Sequence, residues 1–177
     1  MKFAVMLVSI LTLLSACDGS IEGEKYLKNE PKLVLEEYFN GHVDAWGIIQ
    51  DRSGNVISRF DATIIGSWKG NEGTLEEEFT YYDSNEKQYR TWVITKRDDT
   101  RYEGRAGDII GTATGKSFGN ALFWTYEMDV PVDGTTYRLT FDDWIWGMND
   151  GVIINRSYLK KFGVTVAEIT IFMKKKD

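Results

Sequence analysis

From about residue 41 onward, hydrophobic side chains recur at every second position. This is the period of a β-strand with one face inward and one outward. In residues 73–83, Leu75, Glu77, Phe79 and Tyr81 alternate with Glu76, Glu78, Thr80 and Tyr82. In the run that begins at Thr135, Tyr137, Leu139, Phe141 and Ile145 share one face. Turn-forming clusters punctuate the pattern at 51–54, 70–73, 83–85, 97–99, 116–120, 133–134, 149–151 and around Gly163. Between them lie β-branched and aromatic runs, and the spacing predicts eight to ten strands. No helical pattern separates the strands, so the sheet is expected to be antiparallel. Long consecutive hairpins with only two prolines predict an all-β fold. Its expected form is a single antiparallel up-and-down β-barrel over residues 31–177, closed so that no sheet edge is left open.

One segment departs from period two. Residues 31–39 open with Pro31, place Val34, Leu35, Tyr38 and Phe39 on one helical face, and are followed by Gly41. Pro at a helix start and Gly beyond its end predict a short helix of about two turns, apolar enough to plug a barrel. Further upstream, Lys2 precedes an uncharged, mostly apolar run from Phe3 to Ala16. That run is the length of a signal-peptide core and short of the roughly 20 residues a membrane-spanning helix needs. Leu14-Ser15-Ala16-Cys17 resembles the bacterial lipobox. The expectation is therefore a signal peptide over 1–16, a lipid on Cys17 that anchors the protein to a membrane, and a polar tether over 17–30. Asp18, just after the Cys, resembles the signal that retains some bacterial lipoproteins in the inner membrane. The location implied is the cell envelope, facing the periplasm.

Composition narrows the chemistry. One Cys and one His cannot supply a disulfide framework, a thiolate metal site or a His-ligated zinc. No metal and no cofactor is expected. The formal charge of −6 is the wrong sign for a protein that neutralises phosphate backbones, so nucleic acid is not an expected partner. Gly111 to Ser117 looks like a phosphate-binding loop, but it is one residue short of that spacing and is followed by a strand pattern instead of a helix. His42, the sole imidazole, sits at the junction of helix and first strand. No catalytic residue is therefore expected.

The six tryptophans, spread over about five successive strands, carry more information. In a barrel, Trp46, Trp68, Trp92, Trp124 and Trp144 would wall or rim a cavity for a small apolar or amphipathic ligand. Asp143 or Arg156 would orient its polar end. Alternation also puts Glu77 on the face of Leu75 and Phe79, where burial would raise its pKa, with Arg90 or Arg156 as an interior counter-charge. A solid barrel acting as a structural or assembly factor through protein contacts is the alternative. An isomerase or cyclase built on a buried Glu77 ranks third.

Several strings extend this reading. Leu35-Glu36-Glu37-Tyr38-Phe39-Asn40-Gly41, Ala45-Trp46-Gly47, Gly66-Ser67-Trp68, Phe141-Asp142-Asp143-Trp144 and Asn155-Arg156 resemble the bacterial lipoproteins grouped as domain-of-unknown-function family 3833. The resemblance implies a lipidated envelope protein with a lipocalin-like barrel, and no particular reaction.

Overall fold

Ten strands follow one another along the chain: β1 (Gly41–Asp51), β2 (Val56–Lys69), β3 (Glu72–Tyr81), β4 (Lys87–Lys96) and β5 (Arg101–Arg105), then β6 (Ile109–Phe118), β7 (Ala121–Val132), β8 (Thr135–Gly147), β9 (Val152–Lys161) and β10 (Val164–Lys175). They are seen in a computed structural model that describes residues 21–176. The expected signal peptide, Cys17 and Asp18 lie outside the described residues. Each strand pairs antiparallel with the next, and β10 returns to β1 from Val43↔Lys175 to Asp51↔Ala167. The result is the expected closed up-and-down barrel, lipocalin-like in form, at the upper end of the predicted strand number.

Alternation sends one side chain in two inward. Val43 and Ala45 of β1, Leu75 of β3, Ile94 of β4 and Leu139 and Phe141 of β8 are all buried. Each large apolar side chain fully buried in this way stabilises the fold by about 1.5–3 kcal/mol. Every expected turn cluster falls at a hairpin, although Lys116, Ser117 and Phe118 stay in β6. A ninth connection, at residues 106–108 between β5 and β6, lies outside the predicted clusters. There the wall is thin. β5 pairs with β4 only from Val93↔Arg105 to Lys96↔Tyr102, so the upper half of β4 has no ladder on that side.

Residues 31–40 close one end. The helix α1 is a single turn, Leu35–Tyr38, shorter than the pattern predicts. The stretch before it is held extended, because the Leu33 N–H donates to the Gly119 carbonyl at 2.9 Å and Val34 keeps strand-like dihedrals. Leu33, Leu35 and Phe39 nevertheless bury their side chains as a plug. Polar contacts pin it: Glu36 meets Lys96 and accepts from the Tyr102 hydroxyl at 2.9 Å, and the Tyr38 hydroxyl donates to the Gly151 carbonyl at 3.1 Å. The region expected to be tether is docked from Ile21 on. A 3-10 turn over Gly23–Tyr26 lies against the outside of the barrel near the plugged end, with the Tyr26 ring 6.1 Å from Trp144 and 6.3 Å from Trp146.

The plug depends on a close backbone approach at β2. A Cβ on Gly66 would collide with the Phe39 carbonyl oxygen, an atom that cannot swing aside as a side chain would. Gly66→Ala should therefore destabilise the protein by about 1–3 kcal/mol, as overpacking does. Gly107→Ala, where an added Cβ meets open space, should stay within about 0.5 kcal/mol of the parent in the same urea titration.

Candidate functional site: a cavity inside the barrel

The barrel interior holds a cavity of about 970 Å³. Its floor is the plug, through Leu35 and Phe39, together with Leu122 and Met173. Its walls climb past Phe60, Ala62 and Phe141 to Ile57, Val132 and Tyr137 at the opposite end, where these last three are exposed and mark the mouth. The volume matches the range of sites for small organic ligands, and the lining is mainly apolar and aromatic.

One side of this space is an aromatic cluster. Trp92 meets Trp124 edge-on at 5.6 Å and Tyr126 at 5.4 Å, and Tyr126 stacks on Phe141 at 4.9 Å. Trp124 fits because β5 and β6 carry glycine opposite it: a Cβ at Gly104 or Gly115 would run into its ring. This explains Gly115, and a positive φ explains Gly111, in a 111–117 segment that is strand rather than phosphate loop.

Across the interior runs a polar band. Arg90 of β4 donates from Nε to Asp108 Oδ2 at 2.9 Å, its Nη2 lies 2.8 Å from the same oxygen, and its Nη1 lies 4.0 Å from Glu77 Oε2. The guanidinium also lies 5.8 and 5.9 Å from the Phe79 and Trp92 ring centres. Asp108 belongs to the β5–β6 connection, so this ion pair joins β4 to the barrel wall where backbone pairing stops. Further along, Ser157 donates to Asn155 Oδ1 at 3.2 Å, and Asn155 Nδ2 donates to the Trp144 carbonyl at 3.2 Å. Glu77 Oε2 and Asp143 Oδ1 are sealed from solvent and accept no hydrogen bond from the protein.

The environment shifts these groups. Burial pushes the Glu77 carboxyl up to about 7, against the opposing pull of Arg90. Burial likewise lifts Asp143 to about 7, opposed by the Ser157 hydroxyl and Arg90. Tyr126 is raised well above the usual phenol range, again by burial first. Burial works against the Arg90 charge, but the surrounding Tyr126, Glu77 and Asp108 outweigh it and keep the guanidinium ionised. Neighbouring carboxyls that titrate near neutrality are a signature of functional sites.

Of the residues expected to line a cavity, Trp92, Trp124 and Asp143 do so, as do Glu77 and Arg90. Trp46, Trp144 and Arg156 do not, and strand parity is the reason. Trp46 lies between inward Ala45 and Gly47, is 44% exposed, and packs outside against Phe172 at 5.9 Å. Trp144 follows inward Asp143 and is buried on the outer surface among Phe118, Phe123 and Tyr26. Arg156 sits between inward Asn155 and Ser157 and faces Glu168 outside at 3.8 Å. Trp68 has inward parity but lies past Gly66, toward the plugged end, and is absent from the cavity lining. His42 is on the outside, 2.8 Å from Asp44. Asp108, Tyr126 and Ser157 carried no expectation. The parity of Ile153, Asn155, Ser157 and Leu159 would have found Ser157, whereas Asp108 sits in a turn outside any alternation.

No curated protein matches the chain. Among solved structures, an S-type phycobiliprotein lyase from Guillardia theta superposes with a TM-score of 0.54 at 11% identity, covering 80% of this chain and 90% of that one. Likeness at this level concerns the fold. The sequence itself matches the model of a family described as protein of unknown function, DUF3833, over residues 11–175, and with that span the chain belongs to this family.

Proposed function

We propose that the protein is a binding module of the bacterial cell envelope that takes a small apolar or amphipathic ligand into its barrel. The observation that carries this reading is the cavity of about 970 Å³, open at one end, apolar over most of its lining and crossed by a few buried polar groups. A barrel serving only as a structural element would gain stability by filling that space. The solved relative in fold, named for a phycobiliprotein lyase activity, supports ligand handling by such a barrel and no more than that.

We read Cys17 as the lipid anchor. The chain reaches the barrel at its plugged end, where Gly23–Tyr26 docks, and three residues separate Cys17 from Ile21. Their reach is on the order of 10–15 Å, whereas tilted strands of this length stand roughly 25–30 Å tall. An anchored barrel would hold its plug toward the membrane and its mouth toward the periplasm.

A second reading rests on Glu77 and Asp143, whose near-neutral titration suits general acid–base chemistry. Recovery of a bound ligand distinguishes the two: unchanged for a binder, rearranged for an isomerase.

Two outcomes test the binding reading. The neutral apolar dye N-phenyl-1-naphthylamine should bind with enhanced fluorescence, and Ala62→Trp, which fills the cavity from its wall, should weaken that binding about tenfold or more with the fold intact. Unfolding of Ala62→Trp would mean a packed interior and sink the reading.

The second outcome concerns pH. Glu77 and Asp143 rise from ordinary values of 4.5 and 3.8 to about 7, so the native state holds their protons more tightly than the unfolded chain. Their contribution to stability is fully present below the unfolded values and is lost as pH rises through 7. In urea titrations the ligand-free protein should lose roughly 2–3 kcal/mol per carboxyl, about 5 kcal/mol for the two together, between pH 5 and 8. The double variant Glu77→Gln, Asp143→Asn should flatten that slope. Acids held low, such as Asp98, whose carboxylate accepts from the Thr100 and Arg101 N–H groups, act at more acidic pH and leave this window unaffected.

A further inference from the structure

Of the charged residues lining the cavity, five are acidic, and only Arg90 and Lys161 are basic. Lys161 is at the mouth and donates to the Arg138 carbonyl at 3.0 Å. Arg90 is committed. Its Nε and Nη2 serve Asp108, Nη2 also points at the Met128 sulfur at 3.7 Å, and Nη1 faces Glu77. On the acidic side the position is reversed, because Glu77 Oε2 and Asp143 Oδ1 have no hydrogen-bond donor. The band therefore holds three carboxyls, Glu77, Asp108 and Asp143, against one guanidinium, and once these carboxyls are ionised their unused capacity is all acceptor.

Resting on the reading of the barrel as a binding module, we propose that the polar band receives a positively charged, hydrogen-bond-donating group, such as a protonated amine, carried on an otherwise apolar ligand. The incoming group meets the sides of the Glu77 and Asp143 carboxyls that line the cavity and, in their ionised forms, corrects the excess of negative charge. Charge-assisted hydrogen bonds of this kind are the strong ones. A fatty acid or phosphate headgroup meets the opposite situation. To reach Arg90 it must displace Asp108 and lie beside Glu77 and Asp143, so it gives up an existing ion pair and meets two further acidic groups.

The groups facing the band from each packed element are accounted for. They are Glu77 and Tyr81 on β3, Arg90 on β4, Asp108 on the β5–β6 connection, Tyr126 on β7 and Asp143 on β8. Asp142 points outward, where it lies 2.9 Å from Lys160 and accepts from Thr125 at 2.8 Å. No other cation is placed to serve the two orphan oxygens among the described residues. Near-neutral titration of Glu77 and Asp143 adds a direction: protons leave them as pH rises, so the attraction for a cation grows over the same range.

Three ten-carbon probes that differ only at the head test this: decylammonium chloride, sodium decanoate and 1-decanol. Each competes against N-phenyl-1-naphthylamine on the purified protein without detergent. Decylammonium should displace the dye at a concentration about tenfold or more below that of decanoate at pH 7.5. The gap should narrow as pH falls toward 5.5. Glu77→Gln with Asp143→Asn should collapse the preference, while Asp142→Asn on the outer face should preserve it. Equal or stronger binding of decanoate, or an ammonium preference untouched by pH, overturns the proposal and leaves the binding reading intact as long as 1-decanol and the dye bind. If neither the dye nor any probe binds, the binding reading fails and this proposal with it. The pH profile of the unsubstituted protein decides the matter even if the double variant does not fold.

Discussion

The pairing of β10 with β1 is the constraint from which the rest follows. A sheet of ten strands closed on itself has no edge to offer another chain, and its circumference is set by strand number and tilt. At about eight strands the inward side chains fill the interior; with ten they fall short. Large aromatics such as Trp92, Trp124 and Tyr126 crowd one side of the interior, but small residues, Ala45, Ala62 and Ala167, are also among the inward positions. A cavity is thus a consequence of closure at this strand number with these side chains. The plug of Leu33, Leu35 and Phe39 fills one end and leaves the other open, which makes the remaining space a site with a direction.

The polar band shows how structural and functional demands meet in one place. The wall is weakest beside β4, where β5 is only five residues long and the β5–β6 connection turns away. Arg90 and Asp108 bridge that gap with an ion pair that includes one charge-assisted hydrogen bond, and the bridge lines the cavity. Stability of the wall and chemistry of the interior are therefore coupled through one guanidinium. Glu77 and Asp143 have no such structural use. Their burial without donors costs the fold free energy of the kind that persists at sites where a ligand removes it. They are the least expected residues for a barrel that only has to stand.

The strand pattern was legible because period two is enforced by the pleat at every residue of a half-buried strand. Leu75, Glu77, Phe79 and Tyr81 all turn inward as their alternation required, and so do Tyr137, Leu139, Phe141 and Ile145. The hairpins were legible where Gly, Asn and Asp cluster. The connection at residues 106–108 was missed although Gly107-Asp108 carries turn chemistry, because β5 before it is only five residues long and a bulge after it, between Ile110 and Thr114, breaks the alternation of β6. The helix was over-read because helical periodicity in a stretch this short is weaker than one backbone hydrogen bond to the Gly119 carbonyl and the need to cross the barrel end.

The site was half legible for a related reason. Selecting residues by type gathered the tryptophans as a set, yet a strand assigns direction by position and not by size. Trp92 and Trp124 turn inward, Trp46 and Trp144 outward, and the aromatic character of the outward pair is used up on Phe172 and on the docked Tyr26. Had each candidate been ranked by the parity of its neighbours, Asp143 and Glu77 would have been kept, Arg156 discarded for Ser157, and Arg90 chosen as the interior cation. What parity cannot supply is Asp108, which enters from a turn, and Trp68, whose inward ring is cut off by a plug that depends on the approach of Phe39 to Gly66. Direction along a strand is local and can be read in the sequence. Depth along the barrel axis depends on what crosses its ends, and only the folded chain determines that.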